Sequence, residues 1–325
     1  MNARLRKAID DACLDAGLSS AVVRELLERG PSGEDGAYVV EAAREVGLRA
    51  CGGRGYLFSQ IGIDDTPCPV DCKFCHFALS MHGRRAAEVD PSADSDEHLV
   101  PIERVVHYAH LFSNEGAALV SLMATAALPM HTLADYVRAV RAAIRPDCLL
   151  MVNTADWGAE AFAELARAGA SAAYHALRLG EGELTRIKPE VRLRTIGHIH
   201  AAGLKLMTGI EPLWKGAPAD ELAERICALP DMQPFAMGAC AYTPVENDSM
   251  EGRLPASKEE VRYVAAIARL VCGTRVPIGG IGGVAWVDAG CDPRKRGYGE
   301  SDEQLRDDMS AARARLEASG FSCGG

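Results

Sequence analysis

No stretch of the chain approaches ~18 consecutive apolar residues, so no transmembrane helix is expected. The opening residues, MNARLRKAIDDACLDAG, lack the apolar core of a signal peptide, so no secretory leader is expected either. No repeat with a period of roughly 20–50 residues is present, which excludes a solenoid or propeller. No apolar run that reads as a strand is followed by Gly-x-Gly-x-x-Gly, which argues against a doubly wound dinucleotide-binding sheet. Positive charge is in deficit. The 35 Lys and Arg against 45 Asp and Glu give a net charge of −10, so the surface is expected to bind neither nucleic acid nor an anionic membrane. The cysteines do not pair off: there are eleven, an odd number in a chain with no secretion signal. A disulfide framework is therefore not expected. Metal or reduced-thiol chemistry in a reducing compartment, the cytoplasm, is.

What is present is a chain of 325 residues, 48% hydrophobic, long enough for two domains or one barrel. Residues 1–50 read as an N-terminal helical extension, because three amphipathic stretches each end near a glycine. From residue 51 to 325, short apolar runs alternate with helical patterns. Strands are expected at 56–63, 118–124, 148–154, 171–177, 205–211, 235–242 and 276–281. Helices are expected at about 99–113, 132–145, 158–168, 190–202, 217–228 and 257–271. Each helix is long enough to cross back over a parallel sheet. The expected fold class is α/β, a full or partial (β/α) TIM-type barrel. An eighth unit is doubtful, because RKRGYGESDEQ after AGCDP is too charged for a buried strand. The tract DPRKRGYGESDEQLRDD reads as a solvated surface that can also meet an electron donor.

The stretch TPCPVDCKFCHFA places Cys68, Cys72 and Cys75 just after the first expected strand. In such barrels function collects at the carboxyl ends of the strands, so this loop belongs at the mouth. Three thiolates suit a [4Fe–4S] cluster with one iron left open for a small molecule. Zinc, completed by His76, His82 or Cys51, and chemically inert cysteines are the alternatives. Pro67 and Pro69 stiffen the loop and reduce the entropy lost on binding.

CPVDCKFC resembles the signature of the radical S-adenosylmethionine (SAM) enzymes, including an aromatic, Phe74, before the third cysteine. From about 50 to 320 the chain resembles the biotin-synthase branch, which includes methylornithine synthase and the maturase of [FeFe]-hydrogenase. The stretches ARAGASAAYHALRLGEGELTRI, RLRTIGHIHAAGLKLMTGI, YTPVENDSMEG and AGCDP carry that resemblance in order. It implies a [4Fe–4S] cluster on Cys68, Cys72 and Cys75, SAM as co-substrate, and a flavodoxin- or ferredoxin-type electron donor. It also implies that Arg192 pairs with the SAM carboxylate and that Phe74 packs near the adenine. A polar residue expected on strand four falls at Ala176, so His175 is the substitute. The thiols that hold a sulfur-donating [2Fe–2S] cluster in biotin synthase are replaced by Ser121 or Leu122, Met151 and Met207, and its strand-seven arginine falls near Pro277.

Several other residues can face the cavity. Glu211, at a strand end, can hold a cationic substrate group or form a structural ion pair, and Tyr242 can donate to substrate. Tyr174 and His175 alternate along a strand, so one of the two lines the cavity. Asp156 reads as a helix cap. The expected function is hydrogen abstraction from a small polar metabolite, leading to rearrangement, cleavage or dehydrogenation. The alternative within the same class is sulfur insertion, with an auxiliary cluster among Cys240, Cys272, Cys291 and Cys323. The alternative of another class is a non-enzymatic iron–sulfur or zinc protein.

Overall fold

The computed structural model describes residues 1–82, 98–244, 250, 252–289 and 300–323. Of the residues singled out above, Asn247, Asp248, Ser249 and Cys291 lie outside the described residues.

Three helices open the chain: α1 (Ala3–Ala12), α2 (Ser20–Arg29) and α3 (Gly33–Ala50). The barrel then runs β1 (Tyr56–Gly62), α4 (Ile102–Asn114), β2 (Leu119–Met123), α5 (Met130–Ala143), β3 (Leu149–Asn153) and α6 (Ala159–Ala168). It continues through β4 (Ala172–Tyr174), α7 (Pro189–Ala201), β5 (Lys205–Leu213), α8 (Ala219–Ala228), β6 (Ala236–Ala241) and α9 (Lys258–Cys272). It closes with β7 (Ile278–Gly279), β8 (Val284–Ala289) and α10 (Asp302–Ala318). All eight strands form one parallel sheet in the order β7-β6-β5-β4-β3-β2-β1-β8.

Period-two alternation divides each strand between an inner and an outer face. Phe58, Leu119, Met151, Ala172, Met207 and Ala236 meet inside and fill the base of the barrel. Two larger cores lie outside the sheet. One joins its outer face to α4–α7 and α10. The other joins α8 and α9 to the N-terminal helices, with Leu5, Ile9, Val23 and Val46 in the same cluster as Ile226 and Ile267. Residues 1–50 are thus packed onto the barrel through α2 on α8 and α3 on α9. Gly47 does not stop α3, as its position suggested. It allows close approach, since a Cβ there would sit 2.8 Å from the Ile281 carbonyl oxygen.

The doubted eighth strand exists, and it lies before the charged tract, in VAWVDA. Trp286 and Val287 alternate between the inner and outer cores, as expected of a strand covered on both faces. The expected strand at 276–281 shrinks to two residues. In parallel sheets, paired neighbours need a crossover of about a dozen residues or more. Only residues 280–283 join β7 to β8, so these two strands cannot pair, and they remain the free edges of the sheet. Gly279, Gly280, Gly282 and Gly283 all have positive φ, and a Cβ at Gly279 would lie 1.9 Å from the Met237 carbonyl oxygen. The end of the tract read as solvated surface forms the start of α10, which buries Leu305, Met309, Ala312 and Leu316.

Candidate active site

The three cysteines follow β1 at the carboxyl-terminal mouth and line a cavity of ≈ 340 Å³. Their loop folds back on itself. The Cys68 N–H donates to the Phe77 carbonyl (2.6 Å), and the Leu79 N–H donates to the Cys68 carbonyl (3.1 Å). Asp71 takes a left-handed conformation (φ 55°), and its carboxylate accepts from the Ser80 N–H (2.8 Å) and from Arg186 (2.5 Å). Asp64 anchors the root of the loop. It is buried and accepts from the N–H and hydroxyl of Thr125 at 2.8 and 2.7 Å, and from Thr66.

The loop is closed by its own backbone: the Asp71 N–H donates to the Cys68 carbonyl (3.2 Å), the Cys75 N–H to the Cys72 carbonyl (3.0 Å) and the Ala78 N–H to the Cys75 carbonyl (3.0 Å). Burial pushes all three thiols up, Cys72 to about 12, while the Arg178 charge opposes the rise at Cys72 and Cys75. Such thiols are protonated when alone and ionise on binding metal. Among the described residues no three His, Cys, Asp or Glu side chains converge as a site for a single ion. A structural zinc site takes about four donors around one point. A cluster, whose thiolates each bind a different iron, has no such requirement.

The far wall is charged. Asp156, just past β3, does not cap α6, whose N-cap is Gly158. Instead it accepts from Arg192 Nη1 (2.6 Å) and Thr195 Oγ1 (2.8 Å) and lies 2.8 Å from His175 Nε2. Burial works against its charge, but the His175 and Arg192 contacts prevail and lower its pKa. The His175 pKa is lowered too, chiefly by burial. Arg192 also donates from Nε to Glu181 (3.1 Å), which in turn accepts from Thr185 and from the Arg178 N–H. Thus Arg192, expected on a SAM carboxylate, is 4% exposed and held by two carboxylates of the protein at the cavity wall. Arg178, which the sequence did not single out, also lines the cavity and donates from Nε to Glu211 (3.2 Å).

The other expected residues fall as follows. Tyr174 and His175 both line the cavity, because β4 ends at Tyr174 and the alternation ends with it. Glu211 realises the ion-pair alternative through Arg178 and also bonds to Tyr174. Gly209 leaves room for that contact, since a Cβ there would stand 3.0 Å from the Tyr174 hydroxyl. Two expectations need correction. Tyr242 lies one residue beyond β6, is 4% exposed, and packs in the outer core rather than lining the cavity. Phe74 packs against that same outer core, and the aromatic groups at the cavity are His76 and Phe77. Tyr242 was placed by carrying strand six one residue too far, and Phe74 by the motif resemblance, which fixes a position in the loop but not the direction of its side chain. Cys240, Cys272 and Cys323 are dispersed over the seam between β6 and β8, the buried last residue of α9 and the end of the chain. Asp64 and Arg178 were missed. The acidic pair IDD directly before the cysteine loop was the available signal for the first.

No protein-family model matches the chain, and no curated protein matches its sequence. Its fold does match solved structures. Methylornithine synthase (PylB) is 16% identical, with 98% of this chain and 97% of that one covered at a TM-score of 0.74. The [FeFe]-hydrogenase maturase HydG from Carboxydothermus hydrogenoformans is 16% identical, covering 95% of this chain and 68% of that one at 0.65. A further HydG structure is 14% identical, covering 88% and 67% at 0.65. At these identities the likeness shows the shared fold. The two proteins are those that the cysteine motif and its flanking stretches resembled.

Proposed function

We propose that the chain is a radical SAM enzyme acting on a small molecule. The observation that carries this reading is the placement of Cys68, Cys72 and Cys75 together at the mouth of a barrel with the fold of methylornithine synthase. The donor set fits a [4Fe–4S] cluster with one open iron: three thiols on one loop at a shared cavity, with Arg178 and Arg192 in the same lining. When bound, such a cluster supplies the electron that cleaves SAM to methionine and a 5′-deoxyadenosyl radical, which takes a hydrogen atom from substrate.

The chain's own residues do the rest. Arg178 and Arg192 offset the charge of three thiolates and present guanidinium groups to the SAM carboxylate. Asp156, Glu181 and Glu211 hold those guanidiniums in fixed orientation, so little side-chain entropy is lost on binding. Asp64 fixes the two loops that meet at Cys68. The absent sulfur-donor thiols at Met151 and Met207, both packed in the inner core, favour carbon-centred chemistry over sulfur insertion. The electron donor is proposed to be of flavodoxin or ferredoxin type. Among the described residues no helix is long and apolar enough to cross a membrane.

The test is anaerobic reconstitution. The protein is expected to hold about four irons and four sulfides, and to release 5′-deoxyadenosine with dithionite and SAM. Zinc content without SAM cleavage would overturn the reading.

A further inference from the structure

We propose that the seam between β6 and β8 is a second binding site and takes the organic substrate, a molecule with an apolar body and an acidic end group. This rests on the reading of the cysteine cavity as the place of the cluster and SAM.

Between β6 and β8 the barrel wall is reduced to the two residues of β7, and a cavity of ≈ 980 Å³ opens along this seam, reaching Met207 and Ala236 at the barrel base, besides the ≈ 340 Å³ cavity at the cysteines. Ligand pockets span roughly 300–1,000 Å³, so the seam has room for a whole small molecule. The two cavities adjoin. Tyr174 lines the first, and its partner on the neighbouring strand, Met207, lines the second; a Cβ at Gly209 would stand 3.0 Å from the Tyr174 hydroxyl and 3.5 Å from the carbonyl oxygen of Gly238, which also lines the second. A molecule in the seam therefore lies next to the site where SAM is proposed to be cleaved.

The lining states the chemistry. Its charged residues are Arg44, Lys258 and Arg262, with no aspartate or glutamate, in a chain where acids outnumber bases 45 to 35. Arg44 is engaged by Glu41 and the Ser319 carbonyl. Lys258 and Arg262 are paired with no carboxylate among the described residues. The cations come from α3 and α9, the helices that cover the gap from outside. The strand side offers Met207, Met237 and Trp286, whose ring is fixed edge-on against Phe58 at 5.3 Å and 83°. An apolar body can thus lie against the strands, with its acid reaching the helices.

The test uses the reconstituted full-length protein and two probes of one shape. 8-Anilinonaphthalene-1-sulfonate carries an aromatic body and an acid, and N-phenyl-1-naphthylamine carries the body alone. One saturable site for the anionic probe is expected. The doubly substituted Lys258→Ala, Arg262→Ala protein, with melting temperature unchanged, is expected to bind it about five- to thirtyfold more weakly, and the neutral probe within about twofold of the parent. Trp286→Ala is expected to weaken both probes. Phenyl phosphate and phenylacetate competitors distinguish the acid: displacement by one alone selects that acid, and displacement by both selects an anion site of either kind. Cys72→Ala is expected to bind the probes as the parent does. If the parent binds the probes but does not cleave SAM, the reading of the cysteine cavity falls while the seam stands as an anion site. The proposal is overturned by no saturable anionic site, by equal affinity in the doubly substituted protein, by displacement with neither competitor, or by loss of probe binding in Cys72→Ala.

Discussion

From β1 to β6 each strand is followed by a helix, and the mouth above that wall is tied by buried charge: Asp156 and Glu181 on Arg192, and Glu211 on Arg178. From β7 to β8 there is no helix, only a turn whose glycines take positive φ, and in the lining there Lys258 and Arg262 pair with no acid among the described residues. The first region is ordered by pairs that must be satisfied once water is excluded. The second is ordered by steric permission, since only glycine fits so close to the Met237 carbonyl and the Phe321 ring. A wall of charged pairs can orient a charged co-substrate, while an unclosed seam leaves volume. The difference suggests a division of labour, with the cofactor on the closed side and the variable ligand on the open one.

The comparison breaks most completely at the cysteines. Cys68→Ala, Cys72→Ala and Cys75→Ala are each expected to abolish SAM cleavage and stable iron loading, read as iron content and 5′-deoxyadenosine. Cleavage retained in any one of them refutes the assignment. Next is Arg192→Ala. Leaving Asp156 and Glu181 buried without their cation is expected to cost about 3–5 kcal/mol in urea unfolding of the metal-free chain. On protein still loaded with cluster, SAM affinity is expected to fall roughly ten- to a hundredfold. Unchanged stability would show that the mouth network is less tightly buried than its geometry implies.

The open side answers differently. Gly279→Ala is expected to cost at least about 1–3 kcal/mol of stability, because it combines a left-handed φ with a clash. Iron loading at the cysteine loop is expected to be unchanged, and parallel loss of both would deny that the two regions are independent. Glu211→Gln keeps the side-chain volume and one hydrogen bond to Arg178. Normal cluster assembly and a few-fold loss of SAM affinity are expected, about 1 kcal/mol for a partly exposed pair. Full loss of SAM cleavage would place Glu211 in the SAM site itself.

The smallest effect is on pH dependence. Burial lowers the His175 pKa, so below about 6.5 the unfolded chain binds a proton that the folded chain does not. Stability is therefore expected to fall as the pH drops below about 6.5. Asp156, whose pKa is also lowered, adds a second loss of the same sign in the carboxylate range near 4. His175→Gln is expected to remove the first step of the melting-temperature profile and leave the second. A profile identical to that of the parent would show that His175 does not titrate on unfolding.

Much of this was legible in the residues. The six central strand–helix units appear within a few residues of where apolar runs and helical periodicity put them, because those patterns are set by local geometry. The cysteine loop was legible for the same reason, three thiols within eight residues directly after a strand. Tyr242 was misplaced because it lies just past β6, where alternation no longer says which way a side chain faces, and Phe74 because it lies within the long loop after β1, where a motif gives position without orientation. Arg192 was recognised as important, but its partners were not: Asp156 lies 36 residues away and belongs to a different strand–helix unit.

The sequence by itself determined the repeating unit, the loop that carries the thiols and the side of the barrel on which that loop must lie. These follow from spacing, periodicity and the rule that parallel units expose their carboxyl ends together. Only the tertiary structure decided which acids hold which arginines, and that the ring of strands stays open between β7 and β8. Both depend on distances between segments remote in the chain. In the second case a four-residue connection is too short to let two parallel edges meet, whatever their own propensity to pair.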